Sequence, residues 1–288
     1  MSRLVPKAVN GYRLLERGCK SLNARIVPRT WTNPRMKLIQ LLICLGLMTA
    51  APAISQTKAA TSAIPKPTIL SESEGKVQVN ANSPRPLAQT LDALHQKYGW
   101  IVNYEDPQYV SKADIVESTD QTGDQLPAGG RFRVDLPGAE DKDKENDLQR
   151  MVDAYNESSN PGRFELRKSA EGVFTVVGVA SADAQGKISP QKPAFDTALT
   201  VVTRQRTVSA MLDLIGKRIA TERRITVTIG VVPRTLLNIP VSVGGTRVSA
   251  RDLLLRTLTA THRNLYWRLL FDPKSKSYFL DIHQIAKS

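Results

Sequence analysis

The chain has almost no cysteine: two in 288 residues, Cys19 and Cys44. Both lie within residues 1–56, ahead of everything that reads as globular. The chain beyond position 56 therefore carries no thiol nucleophile, no disulfide and no Cys-ligated metal site. Histidine is nearly as scarce, at three: His95, His262 and His283. None has a His-x-x-x-His partner, so metal-ligand spacing is missing and neither a metal nor another cofactor is expected. A Gly-x-Ser-x-Gly elbow and a glycine-rich phosphate loop are missing too, and Gly244-Gly245 reads as a turn between strand and helix. This inventory leaves no candidate catalytic residue and argues against an enzyme. Trp100 and Trp267 sit among apolar neighbours, where such rings usually fill cores.

Long apolar runs are also missing, with one exception over residues 38–53. That run holds Gln40 and Thr49 and is shorter than the roughly 20 residues of a comfortable membrane span. Met36 and Lys37 precede it and Ala51-Pro52-Ala53 closes it. Positive start, apolar middle and small-residue exit are the layout of a secretory signal peptide. The mature chain is expected to begin between Ile54 and Thr57, so that 1–56 is a leader with its core at 36–53. Its flank is long, with Arg3, Lys7, Arg13, Arg17, Lys20, Arg25, Arg29 and Arg35 against Glu16. Met36 is an alternative start, and an uncleaved inner-membrane anchor over 38–54 is the other outcome. The positive flank keeps the N-terminus inside in either case. No small residue precedes Cys44 as a lipoprotein signal requires. Export makes ATP, NAD and nucleic acid poor candidates as partners, and a membrane is a partner only if the signal stays uncleaved.

Charge is unevenly distributed. The whole chain has 40 basic and 27 acidic residues, a net +13. Residues 1–56 hold nine basic and one acidic. Residues 76–180 hold 12 basic and 17 acidic, and residues 198–288 hold 15 basic and 5 acidic. Arg204, Arg206, Lys217, Arg218, Arg223 and Arg224 cluster in the second segment. After export they are candidate contacts for an anionic envelope component or an acidic partner, weighed equally against a solubilising arginine face. The acidic stretch 140–147 and the group Asp114, Glu117, Asp120 and Asp124 read as solvated loops. Intervening lysines and the missing central glycine weaken a calcium reading.

Two stretches have linker composition: 57–75, rich in Ala, Thr, Ser and Pro, and 181–197. Each precedes a segment of the same pattern. Val77 and Val79 alternate as a strand, and Leu87, Leu91 and Leu94 recur at helical spacing after Pro86. Residues 101–104 read as a strand and 105–130 as a polar acidic loop. Phe132, Val134 and Leu136 make another strand. Leu148, Met151, Val152 and Tyr155 make a second helix, and a hairpin over 164–177 comes after Asn160-Pro161-Gly162. In the second segment Leu199–Val202 is a strand, and Val208, Met211, Leu212, Ile215 and Ile219 line a helix. Ile225, Val227 and Ile229, then Ile239, Val241 and Val243, make strands. Ser249 and Asp252 form a helix cap before Leu253, Leu254 and Leu258. Strands over 265–271 and 278–282 close the chain. Both segments read β-α-β-β-α-β-β. The expected fold class is α+β, with two tandem domains, 76–180 acidic and 198–288 basic, and mixed sheets packed on two helices each.

The second segment resembles a known family in its hydrophobic layout. The runs 208–215, 225–228, 239–243 and 248–254, and then Leu265-Tyr266-Trp267, are similar to the short N-terminal domain of secretins and TonB-dependent receptors. The resemblance spans 199–283 and, more weakly, 77–178, and has no signature residues. It implies a small mixed α/β module in the periplasm that contacts other envelope proteins. No pore or barrel comes after it in this sequence, so transport is not implied. The expectation is an exported, non-enzymatic interaction module for an envelope protein or anionic envelope component. The alternative is an enzyme acting on peptidoglycan or lipopolysaccharide.

Overall fold

A computed structural model describes residues 69–73, 76–82, 84–118, 123–137 and 144–285. The leader, and with it the export reading, lies outside these residues. No helix among the described residues is long and apolar enough to cross a membrane.

The first half opens with strands β1 (Ile69–Ser73) and β2 (Lys76–Asn82) and helix α1 (Pro86–Tyr98). Pro86 supplies the fixed φ of a first turn, and Leu87, Leu91 and Leu94 face inward. Gly99 ends the helix in the left-handed conformation, at φ 64°, and its N–H donates to the His95 carbonyl. Next come strand β3 (Val102–Glu105), a small hairpin of β4 (Ile115–Glu117) and β5 (Gln125–Pro127), and strand β6 (Arg131–Pro137). In β6 the buried side chains are Phe132, Val134 and Leu136, alternating with exposed ones. Helix α2 (Lys144–Glu157) buries Leu148, Met151, Val152 and Tyr155, one helical stripe. Strands β7 (Arg163–Lys168) and β8 (Phe174–Ala182) form the closing hairpin.

The short strand β9 (Ile188–Pro190) leads to β10 (Ala198–Thr207) and helix α3 (Val208–Arg223). Strand β11 (Val227–Ile229), the one-turn helix α4 (Arg234–Leu237) and strand β12 (Pro240–Ser249) come next. Helix α5 (Ala250–Thr259) and strands β13 (Leu265–Asp272) and β14 (Ser277–Gln284) complete the fold. Helix α5 starts where expected: Ser249 Oγ accepts from the Asp252 N–H at 3.0 Å.

The α+β class holds: five helices and several sheets are present among the described residues. Strand pairing runs in the same sequence in both halves. In the first, β2 pairs antiparallel with β6, β3 runs parallel to β8, and β7 is antiparallel to β8. In the second, β10 pairs antiparallel with β12, β11 runs parallel to β14, and β13 is antiparallel to β14. Val102 opposite Phe174 corresponds to Val227 opposite Tyr278. Each half has its own apolar core, the first around Leu91, Trp100 and Met151, the second around Met211, Leu254 and Trp267. Each such side chain contributes about 1.5–3 kcal/mol on burial.

The halves also share one sheet. Strand β13 lies parallel to β3, with Arg268 opposite Tyr104 and Leu269 opposite Glu105. This continues the order β11-β14-β13-β3-β8-β7 across both halves, with β9 on β8. Several local expectations change. The stretch 181–197 carries the end of β8, all of β9 and a 3-10 turn at Ala194–Asp196. Residues 69–73 of the upstream linker pair with β2. Gly244 and Gly245 are not a turn: they lie inside β12, where a Cβ on Gly244 would meet Thr203 N at 2.5 Å. The bulge of β10 around Val201 brings the two backbones too close for any side chain there. Glu105 does not open the acidic loop: it ends β3 and is fully buried.

Candidate functional site

The six candidate basic residues divide along α3. Arg204 and Arg206 lie at the end of β10, Lys217 and Arg218 on the exposed side of α3, and Arg223 and Arg224 at its C-terminus. The helix has 16 residues, a length of about 24 Å. The two end pairs therefore do not converge on one small ligand. Arg223 is occupied, donating to the Lys192 and Pro193 carbonyls at 3.1 and 2.8 Å. Arg224 takes the left-handed C-cap conformation at φ 57°. Thr207 Oγ1 caps the other end by accepting from the Ala210 N–H.

At β10 the arrangement concerns the strand edge. The Arg206 guanidinium donates to the carbonyls of Val202 and Arg204 at 3.0 and 3.3 Å. Residues two apart on a strand point their backbone groups the same way. Val208 N–H donates to the Ile239 carbonyl and Arg204 and Arg206 stay in register with Val243 and Val241, so the Arg204 carbonyl faces β12, whereas Val202 lies at the bulge with no partner on β12. Val202 is 74% exposed, the most exposed large apolar side chain among the described residues.

A second polar cluster joins the halves, and sequence reading missed it. The buried Asp106 accepts from Arg85 Nε at 2.7 Å, the Phe271 N–H at 2.9 Å, Tyr104 Oη at 2.7 Å and Tyr109 Oη at 3.3 Å. Arg85 also donates to the Phe271 carbonyl. Beside it, Arg251 binds Glu105 at 2.6 Å and Asp196 at 2.5 Å, and Arg167 also binds Asp196. Burial raises the Glu105 carboxyl above its usual range despite Arg251. Burial also works against Asp196, but hydrogen bonds and charge from Arg167 and Arg251 prevail and hold it below that range. The one clue was position: Glu105 and Asp106 directly follow an apolar strand, a place for buried, paired charges as well as for a loop.

A third cluster stacks aromatic rings across the same joint. Tyr266 lies between His95 and His283, with ring centroids 3.7 and 5.1 Å away. His95 Nε2 is 2.9 Å from the Val102 carbonyl. Arg268 binds Asp92 at 2.5 Å and donates to His283 Nε2 at 2.8 Å. Burial, then the Asp92 charge, pushes the Tyr266 hydroxyl up to about 12.

A shallow cleft of about 140 Å³ lies between Asn103, Thr175, Arg167, Lys168, Ser249 and Arg251. Small-molecule sites usually run to about 300–1,000 Å³. Its cations already face carboxylates: Lys168 pairs with Glu145, Arg167 with Glu165 and Asp196, and Arg251 with Glu105. An incoming anion would displace them without a net gain in charge. Among the described residues no three His, Cys, Asp or Glu side chains converge as metal ligands. Trp100 and Trp267 are buried, as core residues are. The chain matches no protein-family model, curated protein or solved structure.

Proposed function

We propose that this chain is an exported, non-enzymatic interaction module of the cell envelope, with residues 76–180 and 198–288 as two fused copies of a secretin/TonB short-domain-like unit. The observation that carries this reading is the repeated topology. Each half combines two principal helices with an antiparallel pair, β2-β6 or β10-β12, and a three-strand set, with the same parallel and antiparallel pairings in the same order; the first half adds β1 to its pair. Such a repeat supplies paired surfaces and open sheet edges, which serve binding. The partner is an envelope protein or an anionic envelope component, met by the basic second copy.

Epitope-tagged chain expressed in a double-membrane bacterium, with osmotic release and then intact-mass measurement, tests the reading. The expected product starts between Ile54 and Thr57, leaves with the periplasmic fraction and co-purifies with a cross-linked envelope component. Recovery of the full 288-residue mass in the cytosol would overturn it.

A further inference from the structure

The two halves differ at one sheet edge. In the first half β1 pairs antiparallel with β2, from Ile69 opposite Asn80 to Ser73 opposite Lys76. Strand β10 occupies the place of β2 in the second half, paired with β12 as β2 is with β6. Among the described residues no strand takes the place of β1 beside β10. We propose that this outer edge of β10 docks an extended acidic polypeptide segment as an added antiparallel strand. The inference rests on the interaction-module reading and assigns it a surface and a partner chemistry.

Three features of the edge favour that occupant. The strand is long, ten residues, and unpaired on its outer side among the described residues. The Val202 carbonyl, at the bulge and with no partner on β12, accepts from Arg206. A side chain thus occupies a backbone acceptor of β10, whereas in the first half β1 pairs with β2 by backbone. Such charged edge covers also suppress unselective strand pairing. A docking strand replaces Arg206 at the Val202 carbonyl, and the released guanidinium is then free to bind an acid of the newcomer. Arg204 and Arg206 stand two residues apart, and β10 contains no acidic residue. Side chains directly opposite in an antiparallel pair interact, and opposite charges there are favourable. Carboxylates at alternate positions of the partner match this spacing, and the exposed Val202 gives its apolar residues a contact.

The probe is a fluorescein-labelled peptide, Glu-Val-Glu-Val-Glu-Val-Glu, titrated with the purified mature chain and read by fluorescence anisotropy. Saturable binding is expected, weakening as salt rises from about 50 to about 500 mM. N-methylation at alternate peptide residues removes the backbone donors and should cut affinity at least roughly tenfold. Val202→Pro removes the matching donor of β10 at a position with no partner on β12 and should do the same. Because a proline variant can misfold, Arg204→Glu provides a second reading. It should lose roughly tenfold for the acidic peptide and gain for its Lys-Val counterpart. Equal binding of the N-methylated peptide, or no effect of either variant in a folded chain, overturns the proposal. So does sedimentation showing that Val202→Pro abolishes self-association, because the occupant is then a second copy. If the variant still captures the envelope component, the edge assignment fails and the module reading stands.

Discussion

The guanidinium of Arg251 in the second half lies 2.6 Å from the carboxylate of Glu105 in the first, and Glu105 has no exposed surface. This contact ties the start of α5 to the end of β3, where the shared sheet crosses between the halves. Breaking a buried pair leaves an uncompensated charge, which costs about 3–5 kcal/mol. Arg251→Ala should therefore destabilise the chain by about 3 kcal/mol in urea unfolding. The double variant Arg251→Met with Glu105→Leu should recover most of that loss, because it removes both charges. A double variant no better than Arg251→Ala would show that the pair is not the source.

Gly178 lies in β8 against the turn just after Asp106. A Cβ there would sit 2.3 Å from the Pro107 nitrogen, a backbone atom that cannot swing aside. Gly178→Ala should lower stability by about 2–3 kcal/mol, as overpacking does. Gly130→Ala, where an added Cβ would find its nearest neighbour 3.9 Å away, should change it by no more than about 0.5 kcal/mol. Thermal unfolding of the two variants side by side checks the contrast.

The His283 ring accepts a hydrogen bond from Arg268, which requires its Nε2 to be unprotonated. Lost hydration, then the Arg268 charge and a smaller contribution from His95, hold its pKa below the usual 6.5, against opposing attraction from Asp281 and Asp92. The folded chain therefore binds this proton more weakly than the unfolded chain. The stabilisation is complete above about pH 6.5 and is lost as the pH falls through the lower folded value. NMR titration should place His283 below the ordinary imidazole value of 6.5. Arg268→Gln should move His283 upward, and an unmoved His283 would dismiss the Arg268 contribution.

Ser249 caps α5 while ending β12. Ser249→Ala should cost about 1 kcal/mol and Ser249→Gly only a few tenths. Equal losses for the two would point to a role other than the cap.

Much of the fold was legible because local signals agreed with the final packing. Pro86 opens α1, Ser249 opens α5, and the alternation of Phe132, Val134 and Leu136 places β6. The joint between the halves was not legible. Its strand pairing, β13 on β3, links residues with no local relationship in the chain. Its buried charges look like loop residues until Arg85 and Arg251 are placed beside them. Gly244-Gly245 misled for a related reason: the sequence shows glycine but not the neighbouring backbone that demands it. The six candidate basic residues came from charge clustering along the chain alone. It did not reveal that Arg223 is already engaged by carbonyls, or that Arg206 covers a strand edge.

Photo-cross-linking in the living cell tests the central claim most directly, with the reactive residue placed at Val202 and, as a control, at Gln185 in the exposed turn before β9. The account predicts a single higher-mass adduct from position 202, absent from position 185, and released with the periplasmic fraction. Chain of unmodified mass at both positions, or identical adducts from both, would contradict it.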